Sequence, residues 1–313
     1  EMVAVNEVIR ARMTSEHAPR IPEISAHLIE AGGKRLRPIL TLAAAGLCGY
    51  PGRDHVKLAA VVEFIHTATL LHDDVVDGSE KRRGKATANI LFDNISSVLV
   101  GDYLFARAFQ LMVECGSLRV LDILSNAAAV ISEGEVLQLT TAHDLSTDLD
   151  RYEQVIRGKT AALFAAATEV GGVISGVPEA QIQALKTYGD GLGMAFQLAD
   201  DLLDYGGSSA ALGKNTGDDF REGKVTLPII YSVSRGDEEA RAFWNRTIAR
   251  GKVEDGDFDH AMVLLAETGA LEETRRVAQD HGQRAISALD AFGESEMKTA
   301  LKDIAEFVIA RTV

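Results

Sequence analysis

The sequence predicts an all-α fold, and three observations carry that reading. Apolar residues recur at three- and four-residue spacing along nearly the whole chain, the pattern of helices with one buried face. Only six prolines interrupt 313 residues, and none lies between Pro51 and Pro178. No stretch shows the period-two alternation or hairpin chemistry of a sheet. Composition agrees: alanine and leucine are abundant and aromatics make up 6%, which favours helix. A chain of this length can bury a substantial core. With no Pro- or Ser-rich linker and no tandem repeat, the simplest assembly is one domain over residues 1–313, a helical bundle with its site between facing helices.

The elements follow in order. Val5, Ile9 and Met13 space a first helix, and Ile24, Leu28 and Ile29 a second that ends at Gly32-Gly33. Glu1-Met2 begins inside the first pattern, so natural sequence is expected before it. Pro38 opens a third helix carrying Leu40 to Cys48, closed by the Gly49-Tyr50-Pro51-Gly52 turn. A long helix is expected from about Val56 to Asp77. Ser96 to Cys115, Leu118 to Ala142, Thr147 to Ser175 and Pro178 to Tyr205 read as further helices, some of them broken. The most apolar stretch, Ala161 to Val177, is rich in Ala and Gly and holds Thr168 and Glu169, so it reads as a buried helix and not a membrane span.

Charge narrows the function classes. The excess of 46 acidic over 32 basic residues gives a formal charge of −14, which argues against nucleic acid as a general partner. Cys48 and Cys115 lie far apart in apolar surroundings and read as buried, inert thiols of a reduced, cytoplasmic protein.

The chemistry concentrates in an aspartate motif that occurs twice. Leu71-His72-Asp73-Asp74-Val75-Val76-Asp77 is answered by Leu198-Ala199-Asp200-Asp201-Leu202-Leu203-Asp204. On a helix, residues three and four apart share a face, so Asp73, Asp74 and Asp77 converge, as do Asp200, Asp201 and Asp204. Two solvated acidic faces would have polar neighbours; these are flanked by Ile65, Leu70, Val75 and Val76, then by Phe196, Leu198, Leu202 and Leu203. Carboxylates crowded in apolar surroundings need a cation. Hard divalent ions, Mg²⁺ first among them, suit two carboxylate sets gripping a phosphorylated ligand.

Basic clusters complement the carboxylates. Gly32-Gly33-Lys34-Arg35-Leu36-Arg37-Pro38 sets cations on a glycine-loosened turn before a helix, where backbone N–H groups can also meet an anion. Arg82-Arg83-Gly84-Lys85 follows the first motif, and Gly213-Lys214-Asn215, Asp218-Asp219 and Gly223-Lys224 follow the second in a loop suited to act as a lid. Cations held close to carboxylates point to an anionic ligand bridging both, and arginine forks suit phosphate.

Smaller signals are read residue by residue. His66 reads equally as a satisfied core histidine or a ligand contact, and Gln197 as structural or facing the reacting groups. Lys159-Thr160 sits inside an apolar pattern, where an unpaired lysine is costly, which favours function. His72 reads as packing or support for the motif, and Gly134-Glu135 with Gln138 as helix packing and a polar network.

With these residues assembled, the chain resembles the trans-isoprenyl diphosphate synthases, and among them the bacterial long-chain (octaprenyl or decaprenyl) enzymes. The likeness runs from Gly32-Gly33-Lys34-Arg35-Leu36-Arg37-Pro38 to Leu227-Pro228. It takes in Glu63 to Asp74, Gly158-Lys159-Thr160-Ala161, Phe196-Gln197-Leu198-Ala199-Asp200-Asp201 and Gly213-Lys214-Asn215; beyond about Tyr231 little of it remains. The resemblance implies an all-helical isoprenoid synthase fold with a central cavity. It further implies a homodimer that condenses isopentenyl diphosphate onto an allylic diphosphate. By the same resemblance, the six motif aspartates hold about three Mg²⁺ ions on the allylic diphosphate, with Asp73, Asp77 and Asp200 expected as direct ligands. Lys34, Arg37, His66 and Arg83 match the isopentenyl diphosphate site. Arg82, Lys159, Lys214 and Lys224 match contacts to the allylic diphosphate, and Thr160 and Gln197 match residues near the reacting carbon.

Chain length is read from the residues four and five before Asp73. Thr69 and Ala68 stand where short-chain relatives carry bulky floors, so the resemblance implies an open tunnel and a product longer than C20, with C40 or C50 expected. Phe105, Phe109 and Met112 share a face of the next helix and are candidates for a deeper floor. The rivals are a shorter-chain synthase, a terpene cyclase and a non-catalytic partner subunit. A cyclase would lack the cluster of Lys34, Arg37 and Arg83, and a partner subunit would have lost motif aspartates. A plain ion buffer leaves the basic clusters unexplained. The product would pass to membrane enzymes, the side chain of a respiratory quinone being the expected use.

Overall fold

The computed structural model describes residues 1–30, 33–82, 84–206 and 216–311. The chain is helical almost throughout: α1 Met2–Arg12, α2 Arg20–Glu30, α3 Leu36–Leu47, α4 Asp54–Val76, a single turn α5 Ala88–Leu91, α6 Asn94–Glu114, α7 Leu118–Thr141 and α8 Leu149–Ile156. A π turn, Arg157–Ala161, leads from α8 into α9, Ala162–Ser175. Then come α10 Glu179–Gly206, a short α11 Asp218–Arg221, α12 Leu227–Arg235, α13 Glu238–Trp244, a second π turn Asn245–Ala249, α14 Asp257–Glu267, α15 Ala270–Ala288 and α16 Glu296–Ala310.

Three local differences from the sequence reading have physical causes. Helix α3 starts two residues before Pro38, which sits in the first turn where its missing N–H would go unbonded anyway. A two-residue antiparallel ladder, β1 Lys81–Arg82 with β2 Lys85–Ala86, appears where no strand was expected. It is too short to show any periodicity, and Gly84 takes the positive φ of 76° that its turn needs. The third concerns Cys48 and Cys115, which are half-buried instead of buried.

The chain divides into two compact units. The first comprises Glu1–Ala128, Leu163–Lys186 and Ala291–Leu301. Its centre is α4, which packs most extensively on α6 and also on α3 and α1. Helix α4 is buried almost all round, through Leu58, Val61, Val62, Phe64, Ile65 and Leu71, as a central core helix must be. That burial carries the first aspartate motif out to the helix end. Helix α6 is different. It buries Val100, Leu104, Ala108, Leu111 and Met112 on one side and exposes Ile95, Val98, Leu99, Phe109 and Val113 on another.

The second unit comprises Ala129–Ala162, Thr187–Asp290 and Lys302–Val313. An aromatic cluster of Tyr205, Phe220, Phe243 and Trp244 forms one core, with Trp244 Nε1 satisfied by Ser232 Oγ at 3.0 Å. A second core of Tyr152, Ile156, Ala161, Met194, Leu198, Leu227 and Ala278 lies under the second aspartate motif.

Candidate active site

In the first unit, the aspartate motif occupies the end of α4. A helix C-terminus already carries partial negative charge from its free carbonyls. Asp73, Asp74 and the C-capping Asp77 therefore crowd like charge onto like charge. Asp74 is buried, Asp73 half-buried and Asp77 exposed. Arg82 on β1 donates from Nε and Nη2 to Asp74 Oδ1, at 2.9 and 2.8 Å. Asp74 Oδ2 stays buried with no hydrogen-bond partner. The loop beyond is tied back by Asn89 Nδ2, which donates to the carbonyls of Asp74 and Ser79, and by Thr87 Oγ1, 2.6 Å from Ser79 O.

Two further residues expected at the site meet in this unit. Arg37 Nη1 lies 3.3 Å from His66 Nε2, and the Arg37 guanidinium stacks 4.5 Å over the Phe164 ring. Lys34 is exposed just before α3. Arg35 adopts a left-handed φ of 48° and forms a partly buried ion pair with Glu63; the pair holds a conformation that a non-glycine residue otherwise avoids. Arg83 lies outside the described residues.

The expected chain-length residues also belong to α4. Ala68 is fully buried, and Thr69 turns its hydroxyl onto the His66 carbonyl at 2.8 Å. His72 fits the packing reading: its Nε2 lies 3.1 Å from Val98 O, and its ring stacks on Phe105. The candidate deeper floor divides. Phe105 is engaged by His72, Met112 is 1% exposed, and Phe109 is 41% exposed, so the face they share straddles core and surface.

In the second unit, α10 delivers its aspartates near its own C-terminus, with the same adverse dipole. Arg311 Nη2 donates to Asp200 Oδ1 at 2.8 Å, and its guanidinium lies 5.2 Å over the Phe196 ring. Asp201 is buried with both oxygens engaged: Gln197 Nε2 donates to Oδ1 at 2.9 Å and the Tyr152 hydroxyl to Oδ2 at 2.5 Å. Asp204 accepts the backbone N–H groups of Asp218 and Asp219, at 3.2 and 3.0 Å, anchoring the start of α11. Burial, then the neighbouring Asp219 carboxylate, raises the Asp201 carboxyl well above the usual range and pushes Asp204 up to about 6.

The π turn presents the Lys159-Thr160 pair. It runs hard against α7, with the Gly134 and Gly158 backbones in contact; a Cβ on Gly134 would fall 2.6 Å from Lys159 N. Lys159 Nζ donates to Glu135 Oε2 at 2.8 Å, which settles the cost of a lysine in an apolar stretch. Thr160 Oγ1 donates to Gln197 Oε1 at 2.7 Å. Lys224 pairs with Glu222 at 2.6 Å and Asp219 at 3.5 Å. Lys159, Gln197, Asp201, Asp219 and Lys224, together with Gln138 and Tyr152, line a cavity of ≈ 100 Å³. Lys214 lies outside the described residues.

The donor set fits a hard divalent cation. Among the described residues, no three His, Cys, Asp or Glu side chains close into a ready-made cage. Mg²⁺ typically takes only one or two carboxylates and completes its shell with water and phosphate oxygens. The buried, unpartnered Asp74 Oδ2 and the second-motif carboxyls raised by burial and by Asp219 mark where such a cation would offset negative charge.

Tyr152 and Arg311 were not singled out in the sequence. Tyr152 lies seven residues before Lys159, two helical turns along one face, which is a usable signal. Arg311 is more than a hundred residues from its partner Asp200 and carries no local signature.

Comparison with known proteins places this geometry. An octaprenyl diphosphate synthase of Escherichia coli (strain K12) is 43% identical, over 99% of this chain and 96% of its own. The crystal structure of a decaprenyl diphosphate synthase from Rhodobacter capsulatus matches with a TM-score of 0.97 and 63% identity, covering 100% of this chain and 96% of that one. A polyprenyl synthase from Caulobacter crescentus CB15, complexed with calcium and isoprenyl diphosphate, matches with a TM-score of 0.95 and 52% identity, covering 100% and 95%. Residues 18–265 match the polyprenyl synthetase family, a span that includes both aspartate motifs, the Lys159-Thr160 pair and the basic clusters. With that span and near-complete coverage by its relatives, the chain belongs to the polyprenyl synthetase family.

Proposed function

We propose that the chain is a prenyltransferase that adds isopentenyl diphosphate units successively to an allylic diphosphate, giving an all-trans polyprenyl diphosphate of C40–C50. The observation that carries this reading is full-length similarity to octaprenyl and decaprenyl diphosphate synthases in a chain that keeps every aspartate of both motifs. Small residues at Ala68 and Thr69 favour the long product over the geranylgeranyl or farnesyl alternative.

In this mechanism Asp73, Asp77 and Asp200 would hold Mg²⁺ directly, supported by Asp74, Asp201 and Asp204. About three ions, as is typical of prenyl synthases, would supply Lewis-acid neutralisation of the departing diphosphate; calcium in the Caulobacter crescentus structure is a hard divalent ion of the same kind. Lys159, Lys224, Arg82 and Lys214 bind the allylic diphosphate and share the charge that develops as the allylic C–O bond breaks. Lys34, Arg37, His66 and Arg83 bind isopentenyl diphosphate and orient its double bond toward the allylic carbon. Thr160 and Gln197 present oxygens beside the cation, where their dipoles stabilise positive charge. Among the described residues no side chain of the site is an evident base for the closing deprotonation, and by resemblance to prenyl synthases the released diphosphate takes that proton. Exclusion of water protects the cation from capture as an alcohol.

The unit of action is the whole chain as one domain, assembled as a homodimer. Exposed Ile95, Leu99 and Val113 (73%, 61% and 65%) with Val98 and Phe109 lie along one face of α6, interrupted by Asp102, and an exposed apolar face of this kind suits an association surface. A second copy of the same face is its natural complement across a two-fold axis. Leu99→Glu should convert a dimer to monomer by light scattering; an unchanged mass would remove α6 from the interface. No described helix is long and apolar enough to cross a membrane. We place the reaction in the cytoplasm, with a product this apolar passing on to membrane enzymes for quinone assembly.

Product length tests the reaction. Purified protein with farnesyl diphosphate, labelled isopentenyl diphosphate and Mg²⁺ should yield a discrete C40 or C50 product. A C15–C20 product would overturn the chain-length reading, and no product beside an active control synthase would favour a non-catalytic partner subunit.

A further inference from the structure

We infer that Tyr152 is a positioning residue for the prenyl transfer, acting through Asp201 to fix which way the Gln197 amide faces. This rests on the proposed reaction and adds a residue to it. The argument is one of donors and acceptors. Asp201 is buried, and each of its oxygens accepts from one neutral donor, Oδ2 from the Tyr152 hydroxyl and Oδ1 from Gln197 Nε2. Ionised, Asp201 offers no donor, and with the Tyr152 hydroxyl on Oδ2 the Gln197 amino group faces Asp201 and its carbonyl faces away. That carbonyl meets Thr160, whose hydroxyl donates to Gln197 Oε1 at 2.7 Å. The order of the chain is therefore set: Thr160 to Gln197 to Asp201, with Tyr152 holding the far end. If the amide turned over, its NH₂ would oppose the Thr160 hydroxyl and its carbonyl would oppose the carboxylate.

Tyr152 suits an anchor better than a reacting group. It is 4% exposed, and its ring belongs to the apolar core beneath the motif. Its hydroxyl holds Oδ2 of Asp201 at 2.5 Å, which opposes rotation of the carboxylate away from Gln197. Asp201, with both oxygens held by neutral donors, thus orients the amide of Gln197, while its neighbour Asp200 pairs with Arg311. The outcome is a Gln197 carbonyl oxygen held 2.7 Å from the Thr160 hydroxyl, with Gln197 lining the same cavity as Lys159.

The test is a double-mutant cycle with farnesyl diphosphate and isopentenyl diphosphate. Tyr152→Phe keeps the ring and removes only the hydroxyl. It should lower kcat about 10- to 100-fold, the usual range for an orienting partner, with both KM values and Mn²⁺ affinity unchanged. In a Gln197→Ala background the same substitution should cost nothing further, because the group it orients is gone. A second variant keeps the inference falsifiable should Tyr152→Phe misfold. The pair Gln197→Glu with Asp201→Asn restores every donor and acceptor in the chain, the new amide accepting from Tyr152 and donating to the new carboxylate. The pair should bind Mn²⁺ as wild type and exceed Asp201→Asn alone in kcat. Equal losses from Tyr152→Phe in both backgrounds, or a swap no better than Asp201→Asn alone, would overturn the role. An inactive wild-type protein would instead sink the proposed reaction itself.

Discussion

Substituting Gly134 by alanine probes how tightly the reacting pair is held. The added Cβ would stand 2.6 Å from Lys159 N and 2.9 Å from the Gly158 carbonyl carbon, both backbone atoms, where ordinary contact begins at 3.4 Å. Neither neighbour can swing aside as a side chain would, so α7 and the π turn must separate. Overpacking of this kind costs about 1–3 kcal/mol, offset by about 1 kcal/mol because alanine favours helix over glycine. The net loss of stability should therefore be at most about 2 kcal/mol. Activity should suffer more, since a displacement of about 1 Å at a reacting group lowers turnover by about 100-fold. Urea unfolding and steady-state kinetics measure the two effects on the same protein. Gly293→Ala is the control, because a Cβ there meets nothing within 4 Å. Wild-type kcat in Gly134→Ala would show that the contact with Gly158 does not set the position of Lys159 and Thr160.

Three other outcomes follow from the same geometry. Asp73→Ala or Asp200→Ala should cut turnover by orders of magnitude while circular dichroism stays unchanged; wild-type turnover with either carboxylate gone would contradict the metal assignment. Ala68→Phe should shorten the product, at a packing cost of about 1–3 kcal/mol because Ala68 is fully buried; an unchanged length distribution would place the tunnel elsewhere. Burial raises the thiols of Cys48 and Cys115 to about 11, so both stay protonated and unreactive below that pH. Iodoacetamide should label them slowly at pH 8 in native protein and quickly in guanidinium, and fast native labelling would refute the suppressed thiolate.

What the sequence made legible depended on range. Helix periodicity is local and survives folding, so the long helix expected from Val56 to Asp77 is observed from Asp54 to Val76. The i, i+4 pair of Gln197 and Asp201 was visible for the same reason, and it closes a hydrogen bond. The pairing of Lys159 with Glu135, and of Arg37 with His66, joins residues from different helices. Composition could say only that such charges need partners. Tyr152 escaped notice because a buried tyrosine on an apolar face looks like core until its hydroxyl finds a carboxylate. The pairing of Arg35 with Glu63 escaped because a left-handed arginine has no sequence mark.

The π turn at Arg157–Ala161 has a consequence for how this gene tolerates length changes. A π turn fits one residue more than an α turn into the same advance. Losing a single codon between 157 and 161 would let the backbone relax into unbroken α-helix, at no cost in hydrogen bonds. Each residue step turns a helix by about 100°, so the deletion would swing Lys159 or Thr160 off the faces that meet Glu135 and Gln197. In-frame single-codon deletions there should thus leave a well-folded, inactive protein, in a segment where a more regular helix is the less useful one.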